Sequence, residues 1–301
     1  MTTPFFVINP DVVVDADFVS SNVPENDFPV YSSTVTYALG ARVIVTTGVH
    51  RIYESLQATN LNHPPATSPT FWLEVGPTNR WAAFDVATGT TTKQANSIEF
   101  SVSGSKHQAI ALLELKASHV QVRILVGGVE KFNTGMVKMQ DRSVVLSYYD
   151  YLFSKIDLQT DYILDEIPVY NSAVYEVKVF NAGTIAEIGN FLIGDRTIFG
   201  FTEYGATIGI IDYSKKVQDV FGRTTIQERR FTRRMSVSLM METAVTDGVA
   251  RKMAELRAKP ALYVGARDNY ESLTIYGFPR DWSVDIAFPT MTSASFEIEG
   301  I

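Results

Sequence analysis

The chain has no cysteine among its 301 residues, which excludes disulfides, thiolate metal sites and a cysteine nucleophile. It has only four histidines, His50, His63, His107 and His119. None belongs to an HExxH pattern or stands at helical spacing from another, and His119 alternates with inward valines, so all four read as ordinary surface residues. No stretch reaches the roughly 20 apolar residues needed to cross a bilayer, so no membrane span is expected. The opening residues MTTPFFVINPDVVVDADF lack a basic region and are broken by Pro4 and Pro10, and no signal peptide is read there. Walker and Rossmann phosphate loops are missing, as is a GxSxG elbow. Ser103-Gly104-Ser105-Lys106 lacks the required spacing and reads as a hairpin turn. No cofactor is implied.

Positive charge is the minority sign: 26 Lys and Arg stand against 33 Asp and Glu, a net charge of −7. An acidic surface repels nucleic-acid phosphates, so nucleic acid is not the expected partner. With 46% hydrophobic residues the chain has material for two or three packed cores.

The expected fold is mainly β, in three parts. Residues 1–85 comprise an extended opening segment, with a short strand at 12–14, followed by a small β-module. In the module, Gly40 and Gly48 mark turns, 42–46 and 51–55 form a hairpin, and the proline-rich run 64–69 is a loop. Residues 86–200 read as a β-sandwich. HVQVRILV at 119–126 places Val120, Val122, Ile124 and Val126 on one face, and Tyr175, Val177 and Val179 repeat the pattern. Further short strands are expected at 98–102, 109–115, 143–147 and 187–193. Residues 201–301 read as α+β, one helix on an antiparallel sheet. Thr246 or Asp247 is expected to cap a helix with Val249, Met253 and Leu256 on one face, ended by Pro260. Strands at 261–264, 273–278, 282–287 and 293–298 follow, the last with Ala294, Phe296 and Ile298 inward.

Three segments carry resemblances. Tyr37-x-x-Gly40-x-x-Val43, then Tyr53, the proline-rich loop and Trp72, resembles the small chitin-binding-type carbohydrate-binding modules. AEIGNFLIG at 186–194 is similar to the late strands of galactose-binding-like jelly rolls. WLEVGPTNRWAAFD at 72–85, and the strand–helix–meander order ending in DWSVDIAFPTMTSASFEIEGI, resemble tail-tip, baseplate and distal tail proteins of bacteriophages. The last resemblance implies a virion structural protein, assembled in the host cytoplasm into cyclic homo-oligomers, commonly sixfold. Its implied partners are other tail and baseplate proteins.

Two sets of side chains stand out as candidate sites. Tyr37, Tyr53, Trp72 and Trp81 could stack on the apolar face of a sugar, which would make a cell-surface glycan the ligand of a receptor-recognition protein. The sugar-binding modules carry adjacent aromatics after the Tyr53 position, where this chain has Ser55, Leu56 and Gln57. A module of this size also needs several aromatics for its core, so both roles stay open. Arg223, Arg229, Arg230, Arg233 and Arg234 crowd into twelve residues of an acidic chain. Arg230 and Arg234 share one strand face and Arg229 and Arg233 the other. They either pair with acids of the same chain or form a subunit contact, for which Arg230, Arg233 and Arg234 are the candidates.

Catalysis has little to build on. Asp157, Asp161, Asp165 and Glu166 could supply a glycosidase carboxylate pair or oxygen ligands for Ca²⁺, but their spacing reads as one solvated face of a turn or short helix. Neither an enzyme nor a metal site is expected. The reading that results is an adaptor between tail tube and peripheral or receptor-binding proteins, with glycan recognition as the alternative.

Overall fold

A computed structural model describes residues 3–141, 147–153, 157–218, 220–266, 271–286 and 289–301. The protein is mainly β, with 54% strand against 9% helix, arranged in several antiparallel sheets. It divides into two compact units: Met1–Pro10 with Gly194–Ile301, and Asp11–Ile193. The expected division at residues 85 and 200 differs from this, because the opening residues pair with strands near the other end of the chain.

In the first unit, Phe5 to Ile8 are all buried. The Pro4–Pro10 strand lies between two neighbours: Phe5 faces Gly200, Val7 faces Thr197 and Tyr263, and Pro10 faces Gly194. The strand expected at 12–14 is therefore displaced to the preceding apolar run, and Val12 and Val14 are exposed. From Ala261–Val264 the antiparallel order continues through Thr274–Asp285, Met291–Gly300 and Phe231–Glu242. Phe201 and Thr202 pair with Met240 and Leu239 and bring the order back to its start, so six strands close into a barrel. Closure satisfies the backbone groups that an open sheet would leave at its edges. At Gly277 the strands approach so closely that a Cβ would fall 2.0 Å from the Glu299 carbonyl oxygen.

Alternation along these strands turns Phe5, Phe199, Val237, Leu239, Tyr263, Ile275, Phe296 and Ile298 into one core. The Thr246–Glu255 helix adds Val249 and Met253 to that core, and Leu256 joins them just past its end. The expected face of this helix is thus the buried one, but its cap differs. A 3-10 turn at Thr243–Val245 leads straight into the helix, Val245 holds the cap position, and the Thr246 hydroxyl has no hydrogen-bond partner. Asp247 in the first turn still favours the positive end of the helix dipole.

The second unit contains the sandwich and the small module. One sheet runs in the order Val129–Asn133, His119–Val126, Ala173–Ile188, Thr92–Gly104 and Phe18–Ser21, all antiparallel. Val120, Val122, Ile124, Tyr175, Val177 and Val179 are its inward face. Ala109–Leu113, paired with Tyr162–Leu164, contributes Ile110 and Leu112 to the same core, along with Phe191 and Ile193. The strand expected at 187–193 is interrupted, since Ala173–Ile188 and Asn190–Thr202 are separate strands on either side of Gly189. The strand expected at 143–147 falls, except for Ser147, outside the described residues. In place of one solvated face of a turn or short helix, Asp157 lies in the short strand Asp157–Leu158, and Asp161, Asp165 and Glu166 flank the strand Tyr162–Leu164.

Glu187 in this unit accepts hydrogen bonds or ion pairs from Lys93 at 3.1 Å and Lys116 at 3.3 Å. Burial pushes its carboxyl up, but the bonds from the two ammonium groups outweigh burial and hold it below the usual carboxylate range. A depressed folded value contributes stability that is present above the unfolded value and lost as pH falls through the folded one. Glu187→Gln should therefore unfold at lower denaturant than the parent at neutral pH, and the two curves should converge under acid conditions. Parallel curves across the carboxylate range would show that this residue does not carry the acid sensitivity.

Candidate functional site

The small module is built from two sheets, Arg42–Val45, Arg51–Ser55 and Trp72–Pro77 in one, Thr36–Tyr37 and Asn60–Leu61 in the other. The expected hairpin is present, with Val43 opposite Tyr53. Positive φ angles at Gly40 and Gly48, 78° and 73°, fit the turns at those positions. Tyr37, Val43, Tyr53 and Trp72 form the module core, with Tyr31 and Phe71 against it. Trp72 is 2% exposed, meets Tyr37 edge-on at 5.2 Å, and donates Nε1–H to the His63 carbonyl oxygen at 2.8 Å. Burial, then the Glu74 carboxylate, push the Tyr53 hydroxyl up.

Trp81 is not in that cluster. It is 0% exposed and surrounded by Phe18 at 5.4 Å, Phe84 at 5.5 Å and His50 at 4.5 Å. The four aromatics expected as a sugar platform are thus divided between two sets of neighbours, with their ring faces covered by protein. Stacking on a pyranose needs a free face, so the platform expected at Tyr37, Tyr53, Trp72 and Trp81 is corrected to two packed cores.

The histidines also differ from expectation. His50 and His107 are buried. His50 Nδ1 lies 2.7 Å from Glu25 Oε1, which also accepts from Thr78 Oγ1 at 2.8 Å, while Arg80 reaches the other carboxylate oxygen at 3.3 Å. His107 stands 3.3 Å from the Asp11 carboxylate, and its ring fills the space where a side chain at Gly104 would point. Asp161 Oδ1 accepts from the Glu114 backbone N–H at 3.2 Å, a structural role. Among the described residues no group of three or more His, Asp or Glu could hold a metal ion. No helix among them is long and apolar enough to cross a membrane.

The remaining candidate is the arginine cluster, and the structure places it on a β-ribbon over residues 204–218 and 220–234. Thr207–Asp212 pairs with the first half of Phe231–Glu242, and Lys215–Gln218 pairs with Thr224–Gln227 beyond it. The Asp212 carboxyl, bonded by the Ser214 hydroxyl and backbone N–H, is held below its usual range at the junction. Register puts Ile208 opposite Met235, Ile210 opposite Arg233 and Asp212 opposite Phe231, so these six share one face. Met235 is buried in the barrel core, whereas Ile208, Ile210 and Phe231 are more than half exposed. The core-facing side of the strand therefore continues past the barrel into water. At the tip Val220 and Phe221 are 93% and 87% exposed.

Arg230, Arg233 and Arg234 are all exposed on this ribbon. Arg233 and Arg234 form no ion pair among the described residues, and the Arg234 side chain lies over Gly209. The expectation that these two pair with acids of the same chain is not met. The apolar members of the ribbon, Ile208, Ile210 and Phe231, were missed in sequence. Gly222 and its flanking Thr224–Gln227 residues signal a hairpin within the basic stretch, but nothing local in the sequence signals that Ile208, Ile210 and Phe231 lie uncovered.

No protein-family model, no curated protein and no solved structure matches the chain.

Proposed function

We propose that the chain is a structural component of a phage tail tip or baseplate, an adaptor joining the tail tube to peripheral or receptor-binding proteins. The observation that supports this reading is the ribbon of residues 204–234, which presents apolar and cationic side chains together to solvent. Contiguous exposed apolar surface on a folded protein marks an interaction site, and arginine is enriched at interfaces. The tail-like phrases at 72–85 and 281–301 give that interaction its setting. On this reading the protein assembles in the host cytoplasm, ends in the virion tail, carries no catalytic function, and works as a homo-oligomer. The burial of Trp72 and Trp81 counts against the glycan-binding alternative.

The test is peptide mass spectrometry on purified virions made from the genome that encodes the chain, with immunogold labelling of the particles. Stoichiometric recovery and label at the tail tip support the adaptor. Absence from particles that are otherwise complete overturns it.

A further inference from the structure

We infer that residues 204–234 dock head-to-tail on a second copy of this chain, against the acidic outer face of its Thr274–Asp285 and Met291–Gly300 strands. The inference rests on the assembly reading above and names its partner and contact. Three observations carry it.

The first is the uncovered ribbon itself. Ile208, Ile210 and Phe231 continue a core-facing side into solvent. The Thr207–Asp212 strand is also the end of its sheet order, so one edge has no strand partner among the described residues. That edge carries no lysine or proline to blunt it, the devices by which exposed edges are kept from pairing. Beyond that strand the ribbon runs on as the two-stranded pair Lys215–Gln218 and Thr224–Gln227, which is marginal alone in water and would be stabilised by a covering surface.

Charge then decides which surface. Residues 204–234 hold seven Lys or Arg against three Asp or Glu, in a chain with 26 and 33, so the rest of the chain holds 19 and 30. An isologous contact would set one cationic ribbon on another, and like charges across an interface are unfavourable. A heterologous contact sets the ribbon on the acidic remainder of a neighbour. Such a contact generates a ring when its rotation closes.

The third observation locates the acidic surface. Asp281 faces Glu297, Ser283 faces Ser295, and Asp285 faces Ser293, so these side chains stand on one face. Trp282 and Val284 alternate to the other side and pack on the core. The Ser283 and Ser295 hydroxyls are 2.8 Å apart, and these small residues leave the face flat between the carboxylates. Arg280 lies 3.8 Å from both Glu297 and Glu299, while Asp281 and Asp285 have no ion-pair partner among the described residues. Exposed Ile286 adds apolar surface beside Asp285. Arg233, which shares the docking face with Ile208, Ile210 and Phe231, is complementary to Asp281 and Asp285 of another copy; Arg234 stands on the other face of the strand, opposite Glu299 of its own chain.

The experiment is a charge swap on the full chain. Arg233→Glu, Asp281→Lys with Asp285→Lys, and the three combined are compared with the parent by sedimentation velocity and native mass spectrometry. Circular dichroism and thermal melting check that each variant folds. Each reversal should weaken association about tenfold or more, and the combined variant should recover it. Raising salt from about 0.1 M to about 1 M should weaken the parent as well, because screening shortens from about 10 Å to about 3 Å. Ile210→Lys, at an exposed position that requires no refolding of the barrel, should reproduce the loss. A parent that is monomeric at every concentration, or a folded Arg233→Glu variant that associates as the parent does, overturns the inference. So does a combined variant that folds and stays monomeric. A monomeric chain recovered in virions defeats this contact and leaves the adaptor reading standing; a self-associating chain absent from virions does the reverse.

Discussion

Trp81→Ala is expected to lower folding stability by about 3–5 kcal/mol, the range for removing a large aromatic from a closed core. The side chain has no exposed surface, and Phe18, Phe84 and His50 close around it, so truncation leaves a cavity that those neighbours cannot easily fill. Trp72→Ala should cost a comparable amount in the module core. The phenylalanine variants separate the two sites. Trp72 Nε1 donates to the His63 carbonyl oxygen, so Trp72→Phe loses a hydrogen bond worth about 0.5–1.5 kcal/mol in addition to volume. Trp81 Nε1 is buried with no partner, so Trp81→Phe loses volume and also removes an unsatisfied donor. Urea unfolding followed by circular dichroism should therefore rank Trp81→Phe as the milder of the two. Alanine variants that keep the parental midpoint would mean that these rings are not packed as described, and would reopen a sugar-binding role for them.

Why the sequence led elsewhere at these rings has a physical answer. Aromatic spacing reports that a small β-module needs large side chains, but an aromatic that fills a core and one that waits for a sugar are the same residue at the same spacing. What separates them is whether another layer covers the face, and that depends on residues far away, such as Phe18 over Trp81. Period-two alternation, by contrast, is local. It correctly marked Val120, Val122 and Ile124, the pair Tyr175 and Val177, and Ala294, Phe296 and Ile298 as inward-facing. The 3.6 period likewise marked Val249, Met253 and Leu256.

The barrel shows the limit of local signals. Its closure depends on Pro4–Pro10 meeting residues near 200 and near 263, a pairing that no window of ten or twenty residues contains. The ribbon fails to show in sequence for the opposite reason. Ile208 and Ile210 stand two apart on one strand face just as buried strand residues do, and among the described residues only the lack of a covering layer distinguishes them. The arginines were legible as a cluster because charge density needs no fold to be counted; their company was not.

Glu25→Ala is the second change expected to have a large effect, about 2–6 kcal/mol, from about 1–3 kcal/mol for each of two buried polar groups left without an acceptor. In sequence Glu25 sits in Pro24-Glu25-Asn26-Asp27, a stretch that looks solvated. In the fold its carboxylate is nearly covered and serves His50, Thr78 and Arg80 at once. Truncation leaves His50 Nδ1 and the Thr78 hydroxyl without that acceptor in a region water hardly reaches, since both residues are buried. Arg80 is partly exposed and can turn to solvent, so most of the loss should come from the other two. Glu74→Ala supplies the comparison: it breaks a 2.7 Å pair with Arg51 whose members are both substantially exposed, and such pairs contribute about 0–1 kcal/mol. Equal losses from Glu25→Ala and Glu74→Ala in the same urea titration would mean that burial adds nothing to the Glu25 network. A larger loss at Glu25, reduced in a His50→Ala background, would assign the difference to the bond between them.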